Sequence, residues 1–394
     1  MGIATSLEAN NSDADENGVR SDRQAYGEFN IDQLRPAFLG RMTVIQPLTT
    51  FGKIGLRDKA AKAGLRAAKA QTDMTAADVA VEVAALYEAH LYAKEILLFV
   101  QDIQNVAGRA VQETEDRLDA DAFDVNQQDL LRLKTALGAA KLAQHQANAA
   151  LSQTLEGLRA YLAIDDDVEL SVEERYLDPV SEQPTVLEEL IKVAKARRPE
   201  IRALENGVAA YEALAEAERA EYFPNLFALG FLSGAYTPDR DLVQSRFVVD
   251  PLHHFVTGAL VGAQWRIQWD MATHRAREVE SQAYRLANLL EWARVGVPAQ
   301  VNRYHEEVTR ARQDLVQLEE TIPVTREWVV RASADYAAGF GDSRGVTDAV
   351  TAFVSMKNYQ LDALYRLNTG LAELARATGT LTERDSFLYP GTPK

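Results

Sequence analysis

The chain has no cysteine. Disulfides, thiolate metal sites, cysteine nucleophiles and S-linked lipid anchors are therefore excluded. It has no apolar run of the roughly 18–20 residues that a membrane-crossing helix needs. Met1–Asn30 is polar and lacks a basic segment followed by an apolar one, so no signal peptide is read there. Positive charge is in deficit, with 42 Lys and Arg against 58 Asp and Glu and a net charge of -16. A nucleic-acid partner would need clustered positive charge for its phosphates and is not expected. There is no Gly-rich phosphate loop, no G-x-S-x-G turn and no H-E-x-x-H helix, so neither an enzyme nor a cofactor site is expected. Asp165-Asp166-Asp167 and His253-His254 with Asp250 have no recognisable ligand spacing, and both read as polar loop rather than metal sites.

Proline is also missing from Ile54 to about Leu118, where the composition favours Ala, Leu, Glu, Lys, Arg and Gln. Val79, Val83, Leu86, Ala93, Leu97, Val100 and Ile103 recur mostly at steps of three or four, the seam of a long packed helix. At about 1.5 Å per residue it would extend on the order of 100 Å, too long for an ordinary globule. A second long helix is read from about Ala272 to Ala338, with the seam Val279, Ala283, Leu286, Leu290, Ala293, Val301, Tyr304, Val308, Ala311, Leu315, Leu318 and Ile322. Its period suits a left-handed supercoil. Pro298 and Pro323 fall inside it and should bend or break it locally.

Each long helix leads into a turn and a return helix. The first turn is Asp119–Asp124, with its return from about Val125 to Ala163. The second is Gly339–Gly345, where three glycines permit positive φ, and its return runs from about Val346 to Thr378. Between the hairpins, Ile164–Pro184 is acidic and broken. A short helix from about Thr185 precedes Pro199, which suits the first turn of a further helix to about Tyr222. Residues 164–198 read as an insert at the waist of a long antiparallel bundle, since the pieces 125–163 and 199–222 together match the first descending leg.

A β texture stands beside this. Phe255, Thr257, Ala259, Val261, Ala263, Trp265, Ile267 and Trp269 alternate with Val256, Gly258, Leu260, Gly262, Gln264, Arg266 and Gln268. One face is apolar and ends in aromatics; the other is small or polar. Such a strand has lipid or a core on one side and a wet lumen on the other. Leu226–Tyr236 is a second strand, and Ala37–Gln46 a weaker third. The order strand, long helix, return helix occurs twice. Gln46 and Gln268 stand 222 residues apart, and Val125 and Val346 stand 221 apart. The chain therefore reads as a duplicated half.

Several short stretches resemble a known family over roughly residues 36–380. Val44-Ile45-Gln46-Pro47-Leu48 followed by Gly52-Lys53 is similar to its strand-to-helix junction. Arg198-Pro199-Glu200-Ile201-Arg202-Ala203-Leu204 looks like its "RPEL-x-AL" helix start, and Tyr222-Phe223-Pro224-Asn225-Leu226 like its "Y-x-P-x-L" approach to a strand. Tyr336-Ala337-Ala338-Gly339 with Val346-Thr347-Asp348 looks like its "Y-x-x-G … V-x-D" hairpin tip. In order, on a duplicated scaffold, they resemble the TolC-like outer-membrane efflux proteins.

The resemblance implies a mainly α fold with a small β part. Long antiparallel helical hairpins form a tunnel protomer, and the strands join a shared membrane β-barrel. It implies a homotrimer with four strands per chain in a twelve-stranded barrel, contact with outer-membrane lipid, and helix tips docked on a periplasmic adaptor (membrane fusion) protein that links to an inner-membrane pump. The duct would serve efflux or type I secretion without chemistry of its own. Residues 1–35 are read as a polar tail, 36–163 and 199–380 as the two repeats, and 381–394 as a second tail. The first strand and an export signal are read as missing, as in an N-terminal truncation. A soluble coiled-coil scaffold or a non-functional truncated paralogue is the alternative.

By the same resemblance, Asp348 stands at the position of the family's tip aspartate and is the aperture candidate. Asp119, Asp121, Phe123, Gly339, Phe340, Gly341 and Gly345 are the adaptor-docking candidates. Phe255, Val261, Trp265, Ile267 and Trp269 are the membrane-facing candidates. The last three either form an aromatic girdle or pack against helices where barrel meets tunnel, the latter slightly favoured.

Overall fold

A computed structural model describes residues 2–5, 34–120, 125–165, 167–172, 176–180, 186–238, 250–338 and 340–381. The elements, in chain order, are β1 (Gly2–Thr5), β2 (Leu34–Thr49), α1 (Lys53–Asp119), α2 (Gln127–Leu162), α3 (Leu187–Arg197), α4 (Pro199–Ala220), β3 (Asn225–Tyr236), β4 (His254–Gln264), α5 (Trp269–Ala337) and α6 (Ser343–Thr378). The chain divides into two compact units, Met1–Ala60 with Tyr211–Ser281, and Ala61–Ala210 with Gln282–Lys394.

The first unit holds an antiparallel sheet in the order β1-β2-β3-β4. β2 pairs with β3 from Phe38↔Tyr236 to Thr49↔Leu226, with an irregularity between Pro47 and Thr49. β3 pairs with β4 from Asn225↔Gln264 to Ala235↔His254. The sequence expectation of a tail over 1–35 and of three strands is corrected at one point. Gly2–Thr5 forms a fourth strand, running antiparallel to Leu34–Ala37. Four residues are too few to establish a period of two. β2 also reaches further at both ends than the expected Ala37–Gln46, because Pro36 and Pro47 mark its ends as breaks in the sequence while occupying positions where a missing N–H is tolerated.

Burial in the second unit follows heptads. On α1 the buried positions include Ala63, Ala70, Ala77, Val81, Ala84, Glu88 and Leu91. On α2 they include Leu133, Ala140, Ala147 and Thr154. On α5 they include Ala283, Leu290, Val297, Val301, Val308, Ala311 and Leu318. Steps of seven, or three and four, set two helices against each other along a continuous line. Alanine at so many of these positions brings backbones close. The α5 seam agrees with the expected one at most positions. On α1 the expected Ala93 and Val100 are buried, but the earlier part of the expected seam is displaced, and its first member, Val79, is 39% exposed.

Helix α5 is continuous through Pro298 and Pro323. Of the bend or local break expected there, the break does not occur. Each proline removes one backbone hydrogen bond, but around Pro298 the buried Val297 and Val301 anchor the helix in a cluster with Ala194, Ile201, Leu290 and Ala377. No helix among the described residues is long and apolar enough to cross a membrane.

The repeat is sharper than the sequence spacing indicates. A shift of 216 residues carries Lys53 onto Trp269, Gln127 onto Ser343 and Leu162 onto Thr378, so that α2 and α6 coincide in start, end and their 36-residue length. The same shift carries the N-cap Asn126 onto the N-cap Asp342, and the left-handed C-cap Ala163 onto the left-handed C-cap Gly379.

Candidate functional site

The sheet presents two unlike faces. Directly opposed residues of antiparallel strands share a face, so Phe38, Met42 and Val44 of β2 lie with Leu226, Leu232 and Tyr236 of β3 and with Phe255 and Val261 of β4. This face is almost wholly apolar, yet it is open: Phe255 is 73% and Val261 75% exposed, and Phe38, Met42 and Val44 are exposed as well. The other face mixes Arg41, Thr43, Ser233 and His254 with Leu39, Ile45, Leu229, Leu260, Phe227 and Phe231. The two phenylalanine rings lie over Gly262 and Gly258 of the neighbouring strand, where an added Cβ would stand 2.8 and 2.6 Å from ring carbons. The glycines make room for the rings and leave no unfilled strip between strands.

The edges are open too. Among the described residues, no strand pairs with the outer side of β4, and none pairs with β2 beyond Ala37 on the side away from β3. Exposed rows of backbone donors and acceptors invite further strand pairing.

Trp265, Ile267 and Trp269 are corrected in position. β4 ends at Gln264, Trp265 and Ile267 lie in the connection, and Trp269 is the first residue of α5. The alternation in sequence outlasts the strand because Gln268 N–H turns back to donate to the Arg266 carbonyl at 3.1 Å. The three side chains remain exposed, and the Trp265 indole donates to the Tyr222 carbonyl at 3.1 Å. Beside them Phe51 stacks on Phe223 with ring centres 5.2 Å apart. The buried Lys53 ammonium donates to the Phe223 carbonyl at 2.7 Å and pairs with Glu221 at 3.4 Å. Gly52, at φ 87°, turns the chain from β2 into α1.

At the hairpin ends in the second unit, Asp121, Phe123 and Gly339 lie outside the described residues. Asp119 is the exposed last residue of α1. Phe340 is 90% exposed, and its N–H and that of Gly341 both donate to the Asp335 carbonyl, at 2.9 and 3.0 Å. Gly345 N–H donates to the Asp342 carboxylate at 2.8 Å, capping α6. Asp348 is exposed one turn further on. Its counterpart under the 216-residue shift is Arg132.

The structure joins the two hairpin ends through residues that sequence reasoning missed. The Ser343 hydroxyl donates to the Asp129 carboxylate. Arg132 reaches the same hydroxyl at 3.4 Å and the Asp129 carboxylate at 3.7 Å, and the Arg117 guanidinium lies 5.9 Å from the centre of the Tyr336 ring. Asp129 also closes a capping box with Asn126. The Asn-x-x-Asp spacing before an apolar run was the available signal. The contact to Ser343 had none.

A second set of contacts ties α1, α6 and the segment 176–180. The buried Asn368 amide donates to the Glu88 carboxylate at 2.8 Å and to the Asp178 carbonyl at 2.9 Å, and accepts from Val180 N–H at 3.0 Å. Arg376 pairs with Asp78 at 2.6 Å and Glu373 at 3.3 Å. These carboxylates, working against burial, hold its pKa above the ordinary value. His90 is buried beside Thr154, with Nδ1 3.0 Å from the hydroxyl. Burial first, and nearby Lys94 second, hold its imidazole below the usual histidine value.

At the mouth of the β3–β4 connection, Asp250 spends its carboxylate on Leu252 N–H at 2.9 Å, and His254 lies 3.1 Å from the Asp250 carbonyl and 3.3 Å from the Ser233 hydroxyl. Among the described residues, no three His, Asp or Glu side chains converge on a point where a metal could sit.

Residues 190–380 match the family model described as outer membrane efflux protein. The chain is 26% identical over 336 residues to protein CyaE of Bordetella pertussis, covering 82% of this chain and 68% of that protein. Its fold is similar to the outer-membrane channel OprN, with a TM-score of 0.71 at 19% identity over 88% of this chain and 82% of that one. It is also similar to the MtrE outer membrane channel of Neisseria gonorrhoeae, with a TM-score of 0.67 at 18% identity over 88% and 81%.

Proposed function

From the match of residues 190–380 to the outer membrane efflux protein model and the channel-like fold over most of the chain, we propose that the chain belongs to that family and is one protomer of a trimeric outer-membrane duct. The family is one of channels, not of enzymes. The observation that carries the reading is the sheet: one face apolar and exposed, both edges open. Backbone groups facing hydrocarbon must be paired, so a sheet in a membrane must close on itself. Four strands from each of three chains close one barrel. The apolar face with Phe255 and Val261 then meets lipid, and the mixed face with Arg41, Thr43 and Ser233 meets the lumen.

The long hairpins continue the passage as a helical tunnel across the periplasm. Their ends are the docking surface for a periplasmic adaptor that recruits an inner-membrane pump, in efflux or type I secretion. Phe340, 90% exposed at the tip, is the apolar anchor of that contact, and Asp348 places a carboxylate at the aperture, where it favours cations over anions. Trp265, Ile267 and Trp269 sit where barrel passes into helix and anchor the interface. The protein's place is the outer membrane.

The test is conductance. The full chain, extracted in detergent and added to a planar bilayer, should insert and give discrete current steps. Asp348→Asn should lower its preference for cations. A protein that fractionates as a soluble species and gives no current would support the scaffold reading instead.

A further inference from the structure

In the second unit, α1, α2 and α6 enclose a groove of about 940 Å³. Its walls are mainly apolar, with Ala93, Ala140, Ala143 and Ala147 forming a smooth side. Two aromatic contacts border it, Phe99 with Phe353 and Tyr92 with Tyr365, each 5.8 Å between ring centres. A volume of this size with mainly apolar walls and some polar groups suits a drug-sized amphiphile.

The two ends of the groove differ. Towards the hairpin ends it is lined by Ile103, Val350 and Val354, with Thr351, whose hydroxyl donates to the Thr347 carbonyl. At the other end stand Tyr92, Tyr365 and Asp362. Arg366 is shared between two carboxylates, Asp362 at 2.8 Å and Asp314 at 3.3 Å, so this group of three keeps a net negative charge. The phenols register the field: burial first, then Glu88, Glu82 and Asp362, push the Tyr365 pKa up, and burial followed by Asp362 does the same at Tyr92. Phenol rings also present negative faces to a cation.

We propose that this groove binds a lipophilic organic cation, its hydrocarbon among Phe99, Ile103 and Val354 and its charge beside Asp362 and the two tyrosines. Shape alone would admit an anion of the same size; the carboxylate end discriminates against it. The site lies within one chain and does not depend on the duct reading.

The experiment is calorimetric titration of the full chain in detergent with tetraphenylphosphonium, and with tetraphenylborate as the anion of the same shape, each corrected for protein-free detergent. The cation should bind at least about tenfold more tightly than the anion. Ala143→Trp fills the groove and should abolish binding. Asp362→Asn keeps the shape and should weaken cation binding about tenfold while strengthening binding of the anion, so that the preference narrows. Should Ala143→Trp fail to fold, as read by helix content, Asp362→Asn and the two ions still decide. Equal affinity for the two ions, cation binding unchanged in Asp362→Asn, or no heat beyond detergent alone would each overturn the proposal.

Discussion

The two copies of the strand-and-hairpin unit have the same frame and different interiors. Their return helices are equally long and both are capped by a polar side chain at the start and a left-handed residue at the end. Yet α6 buries Leu361, Leu364, Leu367, Asn368 and Leu371 in its second half, where α2 buries Ala147, Thr154 and Leu158. The buried Asn368 corresponds, through the 216-residue shift, to the exposed Ser152. Duplication thus preserved lengths and caps, which set where helices begin and stop, while side chains along the helices diverged with what each copy packs against.

The caps give the largest predicted contrast. Gly379 stands at φ 73°, and an added Cβ would meet the Arg197 backbone carbon at 3.0 Å. Gly379→Ala should cost roughly 3 kcal/mol, the sum of left-handed strain and a backbone clash. Ala163 adopts the same conformation at φ 50° but is exposed. Ala163→Gly should stabilise by about 1 kcal/mol. Denaturant titration of both variants checks the opposite signs; like signs would break the equivalence.

The interiors come next. Asn368→Ala removes a donor from buried Glu88 and an acceptor from Val180 N–H, and should cost roughly 2–3 kcal/mol. Ser152→Ala, on the exposed counterpart, should stay within about 0.5 kcal/mol. Hydrogen exchange at 176–180 should rise in the first variant alone.

A pH dependence follows from His90, whose counterpart is the exposed Glu306. Its folded pKa is lowered, so the unfolded chain takes up the proton first as pH falls through about 6.5. The contribution is therefore complete above that value and is lost as pH drops towards the folded pKa. Melting temperatures at pH 7.5 and 5.5 should show a smaller difference in His90→Gln than in the parent. The smallest effect is at the hairpin ends. Ser343→Ala should change global stability by less than about 1 kcal/mol, while amide exchange speeds up locally at the start of α6.

Much of this architecture was legible because the signals were long. The α5 seam uses Leu and Val and could be read directly. The α1 seam was misplaced before Ala93 because Ala63, Ala70, Ala77, Ala84 and Glu88 occupy the buried positions there, and neither alanine nor glutamate announces burial. β1 was hidden by its four-residue length, and the ends of β2 by Pro36 and Pro47. Trp265 and Ile267 were drawn into β4 because alternation in sequence persisted past the last strand hydrogen bond. At the tips, Gly and Asp marked the turns, but the meeting of Ser343 with Asp129 spans 214 residues and left no local trace.

All of the functional reading rests on the sheet's open edges being closed by sister chains. Native mass spectrometry of the membrane-extracted full chain, released from its detergent micelle in the gas phase, measures this directly. The expected species has three times the 43.6 kDa chain mass. A single-chain species, persisting at every protein concentration and needing no detergent to stay in solution, would contradict it.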